Sequence, residues 1–267
     1  MAKVLVNDST LTSIASSIRV KNGKDELYKP AEMADAILAI ETGENVIQGS
    51  SVEAAILSRT IDGTYRNEEV TVLADCALVE CRKLDKLDLP NVERVHYQSL
   101  GWTSSLVEVN MPKLSSIDSE AFVFCGKTEG HLSNDLSTQY GVLELNFPAV
   151  KGLGDKEFIK CNARKITLEG VNRIQGSSVF EKCMDLEELN IPNVISIEGD
   201  NHFLHTFKLK MLYLPNIKSI SSNAFYQDAS TVYGFTDIYL GCAEGEIPGA
   251  PWGAPDWVTI HYNCADE

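Results

Sequence analysis

The sequence is poor in positive charge. Lys and Arg total 23 against 38 Asp and Glu, a net charge of −15. A chain this acidic lacks the clustered cations that a nucleic-acid backbone or an anionic membrane surface requires. No apolar run approaches the roughly 18 residues of a membrane span, so membrane insertion is not expected. Met1 to Thr10 lack the basic-then-apolar order of a secretory signal, which predicts a soluble protein made in a cytoplasm. Cysteine is sparse and odd in number: seven, at 76, 81, 125, 161, 183, 242 and 264. That excludes a disulfide scaffold, and no C-x2-C pair gives the usual zinc-ribbon spacing. Catalytic signatures are missing as well: G-x-S-x-G, H-E-x-x-H, the Walker glycine loop and G-x-G-x-x-G do not occur. The expectation is a non-enzymatic chain with no cofactor and no metal.

What the sequence does contain is a repeat. The phrase apolar, polar, apolar, Pro, variable, apolar, then two variable residues and a closing apolar one, begins at Leu87, Val109, Leu145, Leu189 and Leu212. A degenerate copy, with Glu169 in the proline slot, begins at Ile166. Successive starts differ by 22, 36, 21, 23 and 23 residues, the 36 being one period plus an insertion of about 14 around Gly126 to Tyr140. A second phrase lies between these: Phe or Leu, then Cys or a small polar residue three positions on. It reads Leu78/Cys81, Leu100/Thr103, Phe122/Cys125, Phe158/Cys161, Phe180/Cys183, Phe203/Thr206 and Phe225/Asp228.

The period-two stretch predicts a short strand with one face buried. Proline ends it, because it lacks an N–H and fixes φ for a corner. One such coil cannot enclose its own apolar residues, so coils must stack, with their strands in a parallel ladder. The recurrent cysteines then fill one equivalent buried slot as reduced packing residues. Cys242 and Cys264 lie outside the repeat, and a terminal disulfide between them stays open. His202 and His205 flank the core residue Phe203 and are expected to face solvent from an irregular turn; a metal pair is the other reading.

The ends differ from the middle. Leu11, Ile14 and Ile18 are spaced by three and four, which predicts a short amphipathic helix ended by Gly23. Pro30 opens a second, with Met33, Ile37 and Ile40 on one face, closed by Gly43. Helices this short need a partner surface, which makes these six residues candidates for attachment or oligomerisation. The Gly- and Pro-rich stretch 245–255 with Trp252, followed by the strand-like Val258 to Tyr262, predicts a terminal cap. The organisation read from the sequence is a helical segment at 1–44, a connector at 45–65, a solenoid at 66–248 and a cap at 249–267.

Residues 186–197, LEELNIPNVISI, and 212–225, LYLPNIKSISSNAF, resemble the BspA-like leucine-rich repeat family. The resemblance implies an α/β-type leucine-rich repeat solenoid with a period of about 22 residues and a parallel strand ladder, preceded by a small two-helix segment. Family members include bacterial surface proteins and tail proteins of phages and prophages of Gram-positive bacteria. Leu11 to Ile40 is similar to the leader of such tail proteins, and Gly249 to Asn263 to their endings. Departures are Glu169 for Pro, Leu100 for Phe, Asp228 for Cys, and the insertion.

The resemblance implies a tail-fibre or receptor-binding protein of the virion tail, assembled in a bacterial cytoplasm. Its partners would be other tail proteins, sister chains (a trimer for a fibre) and a host-surface glycan or protein. The alternatives are a structural tail or baseplate component and a bacterial adhesin, the latter disfavoured by the missing signal and wall anchor. The strand phrase presents Asp88, Asn110, Asn146, Thr167, Asn190 and Tyr213 outward, beside Lys86, Glu108, Glu144, Lys165, Glu188 and Met211. This acidic, Asn-studded stripe reads either as a partner-binding face or as a solvated sheet surface. The insertion, Tyr97 and Trp102 are the other candidate contact points.

Overall fold

The computed structural model describes residues 46–47, 61–127, 143–228 and 234–264. The chain divides into two units, Met1–Glu44 and Asn45–Glu267. The predicted helices with Leu11, Ile14, Ile18, Met33, Ile37 and Ile40 lie outside the described residues, as does most of the insertion.

The described residues form a parallel β-solenoid of about eight turns. No helix occurs among them. The proline-terminated phrase supplies the main ladder. Strands Gly63–Arg66, Leu84–Asp88, Glu108–Asn110, Glu144–Asn146, Lys165–Thr167 and Glu188–Asn190 lie side by side, all parallel. Leu87 sits opposite Val109, Leu145 opposite Ile166, and Ile166 opposite Leu189. The closing apolar residue of each phrase belongs to a second, two-residue strand. These stack as Val46–Ile47, Val72–Leu73, Arg94–Val95 and Ser116–Ile117, and again as Gly152–Leu153, Arg173–Ile174, Ser196–Ile197 and Ser219–Ile220. The ladders thus reach back to Gly63 and Val46, inside the stretch read from the sequence as a connector.

The ladders are not unbroken, as the repeat alone would have them. At the insertion the main sheet is held by one register pair, Glu108 with Glu144, and the second ladder is interrupted. After Asn190 the main sheet ends. Met211–Leu214, with Leu212, starts a separate sheet with Asp237–Leu240 and Thr259–His261. The second ladder still runs across that boundary, pairing Ile197 with Ile220, so the coils remain stacked.

The third side of each coil is built from turns, and its backbone explains the second phrase. In each of the six coils from Cys76 to His205 two residues have positive φ, for example Glu120 (58°) and Phe124 (52°) around Phe122. Left-handed residues redirect their amides, and these donate to the next coil: Glu80 to the Gly101 carbonyl (2.8 Å), Trp102 to Val123 (2.9 Å), Phe124 to Lys160 (3.0 Å) and Lys182 to Leu204 (2.8 Å). The backbone groups of a helix-free turn are thereby satisfied between coils.

Inside, Phe122, Phe158, Phe180, Phe203 and Phe225 form one column, with ring centroids 5.2, 5.6, 5.7 and 6.0 Å apart. All five are fully buried. Trp252 closes the column edge-on against Phe225 at 6.3 Å, and its indole N–H donates to the Pro248 carbonyl. Trp252 thus anchors a last turn beyond the Phe225 coil. Gly170 follows the degenerate Glu169, and a Cβ there would lie 2.3 Å from the Pro148 carbonyl oxygen. That corner admits only glycine, because the neighbouring coil's backbone fills the space.

Candidate functional site

The cysteine slot is as the repeat requires. Cys81, Cys125, Cys161 and Cys183 are buried, as are Thr103 and Thr206. The slot takes a weak donor because it faces a carbonyl, of its own coil for Thr103, which donates to Leu100 (2.8 Å), and of the preceding coil further along. The Cys183 thiol points at the Phe158 carbonyl oxygen (2.9 Å), and the Thr206 hydroxyl donates to that of Phe180 (2.9 Å). In the Phe225 coil Gln227, not Asp228, does this work, donating from Nε2 to the Phe203 carbonyl (2.8 Å). Asp228 instead lies 3.1 Å from His205 Nε2.

Burial pushes the Cys81 thiol up to about 11 and those of Cys125 and Cys183 up to about 12. All seven cysteines are free, Cys242 and Cys264 included. Thiolates are the reactive species, so native-state alkylation followed by mass spectrometry should modify Cys76 and Cys264, which are partly exposed. The four slot cysteines should react only after denaturation. Modification of Cys161 or Cys183 in the folded protein would contradict the slot assignment.

The outward stripe is internally paired. Asn110 donates to Asp88 (2.7 Å), Lys86 meets Glu108 (2.7 Å) and Lys165 meets Glu188 (2.5 Å). Asn146 is exposed, Asn190 half-buried, and Tyr213 donates its hydroxyl to the Cys264 carbonyl (3.2 Å). Thr167, read as outward, is buried. Further along, Tyr239 stacks on His261 at 4.3 Å, and His261 meets Asp237 at 2.8 Å. These cross-coil pairs are what a regular ladder does with its charges.

His202 is fully buried, contrary to the sequence reading. Its Nε2 lies 2.6 Å from the Glu198 carbonyl oxygen. A carbonyl only accepts, so Nε2 carries the proton and Nδ1 is left as an acceptor, buried and without a partner. The reason is register. The residue before each column Phe or Leu points inward, and that position holds Ala77, Ser99, Ala121, Glu157, Val179, His202 and Ala224, every one of them buried. His205, partly buried, turns to Asp228, so the two histidines do not converge on a metal. Among the described residues no cluster of three or more His, Cys, Asp or Glu is placed to hold one.

Glu157 occupies the same inward position. Its Oε1 accepts the Gly154 amide at 2.6 Å, while Oε2 is buried and unpartnered. Burial, with Asp118 and Asp155 adding to it, pushes this carboxyl up to about 8.

The recess lies on the turn side. The left-handed residue before the slot cysteine forms a column: Glu80, Trp102, Phe124, Lys160, Lys182 and His205. Trp102 and Phe124 are consecutive in it, with ring centroids 5.7 Å apart and planes inclined by 34°. Lys160 Nζ stands 5.3 Å from the Phe124 centroid. A cleft of about 330 Å³ opens beside the rings, lined by Arg82, Trp102, Ser104, Phe124, Gly126 and Asn162. Trp102 was a candidate contact from sequence. Phe124, Arg82 and Asn162 were not, because the reading stopped at the buried Phe and Cys of each phrase. Reading the residue before each cysteine down the repeat would have shown the two adjacent aromatics. Tyr97 is exposed on a different column, its hydroxyl 3.4 Å from Glu120.

The period, the parallel ladders and the Phe–Cys turn define a leucine-rich repeat solenoid. The model of the BspA type leucine rich repeat region matches residues 61–142 and 140–231, more than half of the sequence. The chain belongs to the BspA-type leucine-rich repeat family. Several solved structures are similar to it. A leucine-rich repeat protein from Bacteroides ovatus is 22% identical, with a TM-score of 0.49, over 74% of this chain and 51% of that one. A leucine rich cell surface protein from Faecalibacterium prausnitzii is 16% identical, with a TM-score of 0.35, over 79% and 62%. The pneumococcal vaccine antigen PcpA is 15% identical, with a TM-score of 0.33, over 76% and 62%. The chain therefore spans between half and two thirds of the length of these proteins. No curated protein sequence matches it.

Proposed function

We propose that this chain is a non-enzymatic tail protein of a phage, with a helical leader that attaches it to the tail and a solenoid that meets the host surface. The observation that carries the reading is the combination, in one chain, of a family repeat with a leader, Leu11 to Ile40, similar to that of phage tail proteins. A solenoid suits display, since its coils repeat side chains at equal spacing along a rigid surface. The apolar stripes Leu11/Ile14/Ile18 and Met33/Ile37/Ile40 would be buried between sister chains, as a trimer, or against another tail protein. The family's bacterial surface members support the second reading, an adhesin. Electron microscopy of purified particles with a label on this chain separates the two: density at the tail supports the first, absence from particles the second.

Deletion of residues 1–44 tests the attachment role. The repeats have their own core and should keep a cooperative unfolding transition, while the truncated protein becomes monomeric and no longer enters particles. Loss of cooperative unfolding with an unchanged oligomeric state would make the leader a cap of the first coil instead.

A further inference from the structure

We propose that the cleft between Trp102 and Arg82 is a carbohydrate-binding site, taking one or two pyranose rings of a neutral or acidic glycan. It rests on the reading that the solenoid is a binding module, and it moves the point of contact from the strand face to the turn side.

The two rings are not there for the core. Leu100 and Phe122 fill the buried column of these coils, while Trp102 is half-buried and Phe124 is 37% exposed. Both have positive φ, 58° and 52°, which suits Gly or Asn and disfavours bulky side chains. The other coils place Glu80, Lys160, Lys182 and His205 at this position. The left-handed backbone is common to this position; what sets these two coils apart is a pair of adjacent aromatics held out of the core where the others carry Glu, Lys or His, which calls for a role at the surface.

The chemistry of the lining selects the ligand. An aromatic face is electron-rich and attracts the weakly positive C–H face of a sugar ring. Polar groups then surround it. Arg82 and Ser104 are exposed, and Asn162 uses Nδ2 on the Gly126 carbonyl (3.1 Å). Gly126 also lines the cleft, its backbone packed so closely on buried Leu143 that a Cβ would lie 2.7 Å from that side chain. A volume near 330 Å³ falls at the small end of ligand sites, the size of a mono- or disaccharide rather than a peptide. Lys160 Nζ stands over the Phe124 ring, and Arg82 lines the cleft while paired with Glu80 at 3.6 Å. This aromatic recess lies on the turn side, apart from the acidic stripe of the strand face.

The full chain is screened on an array of neutral and acidic oligosaccharides built from hexoses and N-acetylhexosamines, and a bound glycan is titrated by tryptophan fluorescence and calorimetry. Trp102→Ala and Phe124→Ala should each weaken binding at least tenfold, and Arg82→Ala several-fold. Asn110→Ala and Asn190→Ala on the strand face should stay within twofold. Ser104→Trp, which fills the cleft from its rim, should also abolish binding with an unchanged denaturation midpoint. No binding to any array glycan overturns the proposal. So does binding that survives both aromatic variants, or attachment to host cells that is lost on protease treatment and kept after periodate oxidation. Particle location is measured separately, so failure here leaves the tail assignment standing, and absence from particles leaves the cleft standing.

Discussion

Phe180→Ala should lower the unfolding free energy by about 3–5 kcal/mol, the cost of deleting a large buried aromatic and leaving a cavity. Phe180 is fully buried and stacked between Phe158 at 5.6 Å and Phe203 at 5.7 Å. The hole would open in the middle of a column whose neighbours are fixed by backbone bonds on both sides. The Phe180 amide donates to the His202 carbonyl, and the Phe158 amide to that of Val179. Relaxation into the cavity is therefore restricted, which places the cost toward the upper end. In a solenoid each coil contacts only its neighbours, so the lost interface also weakens coupling between the two halves. Asn190→Ala, half-buried on the outward stripe, should cost less than about 1 kcal/mol. Urea denaturation followed by circular dichroism checks both, and equal midpoints would refute the assignment of inward and outward positions.

Stability should fall as pH rises from about 6.5 to 9, and Glu157 should be the cause. Its carboxyl is held at about 8 in the fold against an ordinary value of 4.5. Between those values the folded chain binds a proton that the unfolded chain has released. The stabilisation is therefore complete below pH 4.5 and is lost as pH climbs through about 8. The whole loss is on the order of 5 kcal/mol, of which about 2 kcal/mol falls above pH 6.5, because the ionised carboxylate must stay buried with Oε2 unpartnered. His202 runs the other way. Burial lowers its pKa below 6.5, so its contribution is present above that value and is lost as pH falls through the lower one. The two slopes oppose each other just below 6.5, so the net decline shows most clearly above it. Glu157→Ala should remove the alkaline decline and be more stable than the parent at pH 8.5. Alanine fits, since Ala77, Ala121 and Ala224 hold the equivalent position in other coils. Thermal melts of the two proteins from pH 5 to 9 check this, and parallel curves would assign the decline to another group.

Much of the solenoid was legible because its signals are periodic and local. Proline at 90, 112, 148, 192 and 215 marks the strand ends by its chemistry alone, and the Phe–Cys spacing marks the turn. Those signals also place Leu87 opposite Val109 and Ile166 opposite Leu189, since a constant period fixes the register. The buried cysteines followed from equivalence between coils. His202 was misread because residue type was allowed to outrank position: histidine suggested solvent, while its place before Phe203 made it inward. Gln227 was missed for the opposite reason. A long side chain reached the Phe203 carbonyl from one position earlier than the pattern specified.

By itself the sequence determined the repeat, its strands and corners, the buried Phe column and the reduced cysteine slot, because each depends on residue type at a fixed spacing within one coil. Only the tertiary structure decided how neighbouring coils meet. It interrupted the second ladder at the insertion and ended the main sheet after Asn190. It neutralised the outward stripe by pairing Lys86 with Glu108 and Lys165 with Glu188. It set Trp102 beside Phe124 across a cleft with Arg82 and Asn162. Arg82 and Asn162 are 80 positions apart in the chain, and only the stacking of coils, which turns sequence distance into a short step along one axis, brings them to the same recess.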